Sequence, residues 1–227
     1  MNRGTPPPGS RGLAVPVRTA RGRSVGSQRW LARQLNDPYV RAAREQGWRS
    51  RAAFKLIELD DRFHVLRRGA RVVDLGAAPG GWSQVAVARG AARVVGVDLL
   101  PVEPVPGAEL IVGDFMDPDM PERMAALLGG PADLVLSDMA PNTTGHGATD
   151  HLRIMALAEL AVAFAVEVLT PGGSFVAKVF QGGSEKGMLE RLKRSFAVVR
   201  HAKPPASRKE SSELYVVATG FRGTEQA

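Results

Sequence analysis

VVDLGAAPGGW, residues 72–82, reads as a strand, a tight loop and the start of a helix. A β-branched run ends in Asp74 and Leu75, a turn rich in Gly, Ala and Pro follows, and Trp82, Ser83 and Gln84 open a helical pattern. Glycines at 76, 80 and 81 let the backbone approach a ligand closely, because no Cβ stands in the way and positive φ costs little. The helix N-terminus behind the loop adds free N–H groups. This is the form of the first βα turn of a nucleotide-type α/β sheet, where such folds put a ligand. The spacing is G-x-x-x-G-G, whereas a dinucleotide fingerprint is G-x-G-x-x-G. The loop points to an adenosyl ligand without naming it.

Downstream, residues 93–97 form a second strand ending in Asp98, 22 residues after Gly76. A carboxylate at that strand end accepts from the ribose hydroxyls of a cofactor in such folds, although Asp there is also a common turn residue. A third strand, residues 109–112, leads to Asp114, which either reaches the exocyclic amine of an adenine or begins a turn. A helix near residues 121–128 returns the chain to a fourth strand, 133–137, and places Asp138 beside the topological switch point. In the Gly- and Thr-rich loop that follows, His146 and His151 are too isolated to suggest a metal site. A largely apolar helix over residues 152–169 is stopped by Pro171, Gly172 and Gly173. The fifth strand, SFVAKVF, then carries Lys178. A charge inside a run that a parallel sheet buries is costly unless paired, which favours function over packing. After a basic helix over 185–196 and a strand near 198–201, the loop 203–212 delivers Glu213 to the last strand, LYVVATG. Glu210 competes for any role given to Glu213, but Glu213 abuts the strand and is better fixed.

Upstream, residues 1–26 are rich in Pro, Gly, Ser and Arg with no apolar period, which predicts a disordered basic arm. Residues 27–227 then form one domain. Trp30, Leu31, Leu35, Tyr39 and Val40 recur at helical spacing before Gly47, and a second helix over 50–63 buries Ala53, Phe54, Leu56, Ile57 and Leu59. Lys55 sits among them, ordinarily a lysine with a buried stem and a wet head. These helices, residues 27–66, precede the first strand.

A chain of 227 residues accommodates one sizeable domain with appendages. Cysteine is absent, which excludes disulfides and thiolate metal sites and suits a reducing compartment. No run approaches the roughly 18 apolar residues of a membrane span, and the first residues lack a secretory apolar core, so a soluble cytoplasmic protein is expected. The net charge of +7 is uneven: residues 1–55 hold 12 Lys and Arg against Asp37 and Glu45, and the rest holds 18 basic and 21 acidic residues. A second basic cluster runs from Lys186 to Lys209. Basic runs are often only solvated surface, but two on one enzyme-like domain favour a polyanion such as nucleic acid.

The first five strands alternate with helices, so a mostly parallel sheet is expected. The last two are joined without a helix, so the final strand pairs antiparallel, as in Rossmann-like methyltransferases. RSRAAFKL (49–56), VVDLGAAPGGW (72–82), VDLLP (97–101), GDF (113–115), SDMAPN (137–142), GGSFVAKVFQG (172–182) and SRKESSELYVVATG (207–220) resemble the FtsJ/RlmE family of ribosomal RNA ribose 2′-O-methyltransferases. The similarity runs in order from about residue 27 to the end. It implies an S-adenosylmethionine-dependent α/β fold of the Rossmann-like kind, a seven-stranded mostly parallel sheet with an antiparallel last strand and helices on both faces. Gly80, Trp82, Asp98, Asp114 and Asp138 would line the S-adenosyl-L-methionine site, and Lys55, Asp138, Lys178 and Glu213 would form a Lys-Asp-Lys-Glu catalytic tetrad. The implied substrate is a uridine ribose in the A loop of 23S ribosomal RNA within the large ribosomal subunit, with the two basic clusters flanking the active-site mouth. No DNA or membrane partner is implied, and with no symmetric apolar stripe a monomer is the default. The long basic tail, and Glu210 where some relatives carry a basic residue, are departures that bear on RNA contacts.

The chemistry can be set out from the residues. A sulfonium methyl is already electrophilic, so an enzyme must align donor and acceptor and deal with a poorly acidic ribose hydroxyl. An ordinary lysine, at about 10.4, is protonated at neutral pH. A neighbouring cation favours the neutral amine and a carboxylate the ammonium, and for Lys178 the two act in opposition. Lys178 would take the proton or steer the oxygen lone pair, while Asp138 and Glu213 orient the lysines. A non-catalytic ribosome-assembly factor explains the charge but not four polar residues placed where chemistry needs them. A cap-type or other RNA ribose methyltransferase shares the tetrad and differs in substrate, whereas a small-molecule methyltransferase has no need of two basic clusters. A nicotinamide dehydrogenase is disfavoured by the loop spacing and the antiparallel ending.

Overall fold

Alternation along β1 (Arg71–Leu75) decides how the sheet is covered: Val72 faces one core and Val73 and Leu75 the other. The computed structural model describes residues 25–140, 147–180 and 186–223. Its strands, β1, β2 (Arg93–Asp98), β3 (Glu109–Val112), β4 (Ala132–Ser137), β5 (Leu169–Phe180), β6 (Phe196–Ala202) and β7 (Glu213–Phe221), form one seven-stranded sheet in the order β3-β2-β1-β4-β5-β7-β6. β1 to β5 are parallel, and β7 inserts antiparallel between β5 and β6. Strand order reverses between β1 and β4, which opens the crevice at their carboxyl ends where α/β folds bind ligands.

One face is covered by α5 (Met120–Leu128), α6 (Gly147–Val168) and α7 (Lys186–Ser195), whose Met124, Ala161 and Leu192 join Val73, Val135 and Phe175. The other carries α2 (Pro38–Gln46), α3 (Ala52–Phe63) and α4 (Gly81–Ala88), with Phe54, Leu56 and Val85 against Val72, Leu134 and Val176. Phe54, Leu56 and Leu59 are essentially fully buried, each worth about 1.5–3 kcal/mol of transfer free energy, so α3 is firmly seated and the amine of Lys55 with it.

The expected elements are present, with four departures. The single helical pattern over residues 27–47 is two helices, α1 (Val25–Asn36) and α2. Asp37 caps α2 by accepting from the Tyr39 backbone N–H at 3.0 Å, and Pro38 holds its first position. β2 and β3 are joined without a helix, against the expected alternation, because Pro101, Pro104 and Pro106 deny the connection a helical backbone. α6 begins at Gly147, so His151 is helical rather than in the loop. Lastly, β5 starts at Leu169: β4 pairs Ala132 with Leu169 and then Leu134 with Ser174, so residues 170–173 bulge out of the ladder. Most of the expected arm (residues 1–24), His146 and residues 181–185 lie outside the described residues; Val25 and Gly26 open α1.

Candidate active site

The loop after β1 is shaped by what a side chain would collide with. Gly76 has φ +78°, and a Cβ there would lie 2.6 Å from Met139 Cγ; Gly80 has φ +101°. Gly96, in the middle of β2, faces the same loop, and its Cβ would stand 2.8 Å from that of Ala77. At the end of β2, Asp98 accepts from the backbone N–H of Ala78 at 2.9 Å and of Leu100 at 2.8 Å. This carboxylate therefore ties the glycine loop to the strand beside it. Asp114 accepts from the Met116 N–H at 3.0 Å, the geometry of a residue that begins a turn. Leu99 and Met116 stand exposed beside these two acids. Trp82 is 3% exposed, donates from Nε1 to the Ala52 carbonyl at 2.8 Å and packs 5.8 Å from the ring of Tyr215. Its indole is thus spent beneath the loop, locking α4 to α3.

Arg49 closes the loop from outside. Its guanidinium donates to the carbonyls of Pro79 at 3.1 Å, Pro104 at 2.5 Å and Glu103, while its backbone N–H donates to Gln84 Oε1 at 2.9 Å. Beneath the loop, buried Asp74 accepts from Ser83 Oγ at 2.6 Å, clipping β1 to the first turn of α4.

Four polar residues from four distant parts of the chain meet at the carboxyl ends of β4 and β5. Lys178, 8% exposed, donates from Nζ to the Asp138 backbone carbonyl at 2.7 Å and pairs with its Oδ1 at 3.1 Å. Lys55 reaches from α3 to Glu213 at 2.9 Å and lies 3.7 Å from Asp138 Oδ2. Glu213 is also held by Ser207 Oγ, which donates to it at 2.7 Å, whereas Glu210 is exposed on the loop. Burial pushes the Asp138 carboxyl up, but the ammoniums of Lys178 and Lys55 and the hydrogen bonds from Tyr215 and Lys178 outweigh it and hold the group below its ordinary value.

Tyr215 is the member that sequence reasoning missed. It is the direct cross-strand neighbour of Lys178, and its hydroxyl donates to Asp138 Oδ1 at 2.7 Å while accepting from Lys55 Nζ at 3.0 Å. Burial, and then the charges of Asp138 and Glu213, raise its pKa well above 10, so it stays a neutral donor. The signal was available: with Glu213 at the site, the residue two further along a strand lies on the same face, one rung deeper. Ser207 is a second omission, sitting inside the quoted SRKESSELYVVATG block. It is placed by Glu58, which accepts from the Ala206 N–H at 2.7 Å, and by Arg51, which donates to the Ala206 carbonyl and pairs with Asp37.

An FtsJ-like methyltransferase model matches residues 48–221. The chain belongs to that family. Ribosomal RNA large subunit methyltransferase E of Granulibacter bethesdensis is 73% identical over 217 residues, covering 96% of this chain and 94% of the relative. The Gluconobacter oxydans protein of the same name is 71% identical, covering 94% and 80%. A crystal structure of a ribosomal RNA methyltransferase from Plasmodium falciparum superposes with a TM-score of 0.68 at 30% identity, over 78% of this chain and all of that one. This FtsJ-like enzyme thus has the expected Rossmann-like methyltransferase fold. Among the described residues no helix is long and apolar enough to cross a membrane, and no cluster of His, Asp and Glu gathers as for a metal ion.

The structure divides the second basic cluster instead of gathering it at one mouth. α7 runs back along the sheet from the carboxyl end of β5, so Lys193 and Arg194 lie at the opposite pole. β6 returns to the site, where Lys203, Arg208 and Lys209 follow it.

Proposed function

We propose that this protein transfers a methyl group from S-adenosyl-L-methionine to the ribose 2′-hydroxyl of a uridine in the A loop of 23S ribosomal RNA, on the large subunit during its assembly. The observation that carries the reading is the joining of Lys55, Asp138, Lys178, Glu213 and Tyr215 into one hydrogen-bonded group beside the glycine loop. Relatives bearing the name ribosomal RNA large subunit methyltransferase E, 60–73% identical, support the substrate.

The residues present fit the cofactor. Gly76 and Gly80 keep the loop open, Asp98 and Asp114 stand at the ends of adjacent strands to receive ribose hydroxyls and the adenine amine, and Asp138 borders the far side. The backbone around Gly80 to Trp82 would line the loop side, since the Trp82 indole is buried. When bound, S-adenosylmethionine supplies a methyl group made electrophilic by its sulfonium.

With both lysines charged, the two ammoniums balance the carboxylates of Asp138 and Glu213, and the neutral phenol adds nothing. Lys178 has two of its directions fixed by Asp138, which leaves the remaining one for the ribose oxygen: as the ammonium it holds the oxygen's lone pair, and only as the neutral amine, with its own lone pair free, would it take the proton. Glu213 and Tyr215 fix Lys55, and Lys55 and Tyr215 fix Asp138, so the donor geometry at Lys178 is set before RNA arrives. The exposed cations of the neighbouring surface, Arg44 and Lys209 among them, would hold phosphates, and binding would then weaken strongly between about 50 and 200 mM salt.

The test is transfer of labelled methyl to large subunits purified from cells lacking this gene, beside naked ribosomal RNA and mature subunits. Label on one ribose of the deficient subunits, lost in Lys178→Ala with cofactor binding unchanged, is expected. A Lys178→Ala protein that kept most of its activity would overturn the role of Lys178. No label on any RNA would overturn the substrate.

A further inference from the structure

The pole of the sheet opposite the reaction centre carries a basic surface that the chemistry above leaves unused. Arg67 and Arg68, in the turn between α3 and β1, are exposed, and neither forms an ion pair among the described residues. They border a cavity of about 200 Å³ whose far wall is the bulge at residues 170–173. Asp133, the acid in that cavity, is taken up by Arg71, whose backbone N–H donates to it at 2.8 Å and whose Nε lies 3.5 Å away. On the other side of the bulge stand Lys193, Arg194 and Arg222. Arg222 donates to the carbonyls of Lys193 at 2.8 Å and Arg194 at 2.7 Å, which pins the end of α7 and leaves the side chains of those two exposed. The two groups adjoin: a Cβ on Gly223 would touch Pro171 of the bulge at 3.7 Å. Two exposed acids lie nearby in the chain, Glu167 in the last turn of α6 and Glu190 one turn before Arg194 in α7; Asp61 and Glu109 at the same pole are paired with Arg89 and Arg93.

We infer that this pole is a second RNA-binding surface, gripping the phosphates of a ribosomal RNA segment other than the one that carries the target ribose. This rests on the ribosomal RNA reading above. From Ser174 at the bulge to Lys178 the strand alone spans roughly 13 Å, and the two surfaces face opposite ways. Nucleotides flanking the target would have to wrap around the domain to lie on both; a large folded RNA reaches both directly. Unpaired arginines beside exposed backbone suit a phosphodiester chain, which presents charge without sequence. The device would favour an assembled subunit over a short RNA as substrate.

The experiment is the charge reversal Arg67→Glu/Arg68→Glu/Arg194→Glu, with Arg67→Gln/Arg68→Gln as a milder companion, both checked for wild-type unfolding. The expected results are unchanged kcat and cofactor binding, and a KM for deficient large subunits raised about tenfold or more in the reversal and less in the companion. For protein-free 23S ribosomal RNA, the slope of log affinity against log salt should shrink by about two to three. An unchanged KM and slope overturns the proposal. A raised KM with an unchanged slope on protein-free RNA also overturns it, placing a ribosomal protein on this pole instead. If wild type methylates no ribosomal RNA the proposed function fails separately, and the salt slope still tests the pole.

Discussion

Replacing Asp74 by Asn should remove a pH dependence of stability that is built into the loop-bearing strand. Asp74 is 1% exposed; Oδ2 accepts from Ser83 Oγ, and among the described residues Oδ1 has no hydrogen-bond partner. Burial, partly relieved by the Ser83 hydrogen bond and reinforced by the charges of Asp138 and Asp98, pushes the carboxyl from 3.8 up to about 7. Because the folded value is the higher one, the unfolded chain releases this proton first. Between the two values the unfolded state holds fewer protons, and stability falls as pH rises, by at most about 1.36 kcal/mol per pH unit. From pH 5 to pH 8 this amounts to about 2–3 kcal/mol, after which the loss is complete. Asn has no such proton, so the contribution vanishes, while its amide keeps an oxygen to accept from Ser83. Urea unfolding of both proteins at pH 5 and pH 8 isolates the effect, since every other titrating group cancels to first order in the difference. The gap between wild type and Asp74→Asn should move by about 2–3 kcal/mol in favour of the variant at pH 8. Parallel stability curves across that range would show that Asp74 titrates as it does in the unfolded chain, and the reasoning would be wrong.

Tyr215→Phe deletes one hydroxyl and no ring volume. Asp138 keeps Lys178 and Lys55 keeps Glu213, so a net loss of about 1–2 kcal/mol is expected, and with it a Tm lowered by about 2–8 °C. Methyl transfer should fall about tenfold rather than vanish, because the tyrosine positions Lys178 without exchanging the proton; loss as complete as in Lys178→Ala would refute that division. Gly96→Ala places a methyl 2.8 Å from Ala77 Cβ and 2.6 Å from Leu110 Cδ2, and only the leucine can swing away. A stability loss of about 1–3 kcal/mol should accompany weaker cofactor binding by calorimetry, since the glycine loop must shift; unchanged binding would mean that the loop tolerates the displacement.

What was legible in the residues follows the range of the forces involved. The strands of the parallel core were readable because a strand buried on both faces is a near-continuous apolar run rich in Val, Ile and Leu, and β1, β2 and β4 come close to that pattern. The break between α1 and α2 was written in Asp37-Pro38, but the apolar period runs through it, and hydrophobic spacing was given more weight than the chain's punctuation. The general alternation of strands and helices likewise implied a helix between β2 and β3, where three prolines forbid one. In both places a local steric rule overrode a pattern averaged over a longer window.

The site and the basic surfaces diverged for a different reason. Lys178 announced itself because a charge in a buried strand needs a partner, and that partner had to lie at the neighbouring strand end, where Asp138 is. Glu213 and Lys55 follow from block resemblance, but Tyr215 depends on register, the pairing of Lys178 with Tyr215, which is fixed only once β7 is known to insert beside β5. Charge carries less information still. Lys186 to Lys209 is one cluster along the chain, yet it spans a helix and a strand that traverse the sheet in opposite directions, so its members alternate between the two ends of the molecule. A net charge counted along the sequence predicts attraction to a polyanion; only the topology decides whether that attraction acts at one mouth or grips the RNA from two sides.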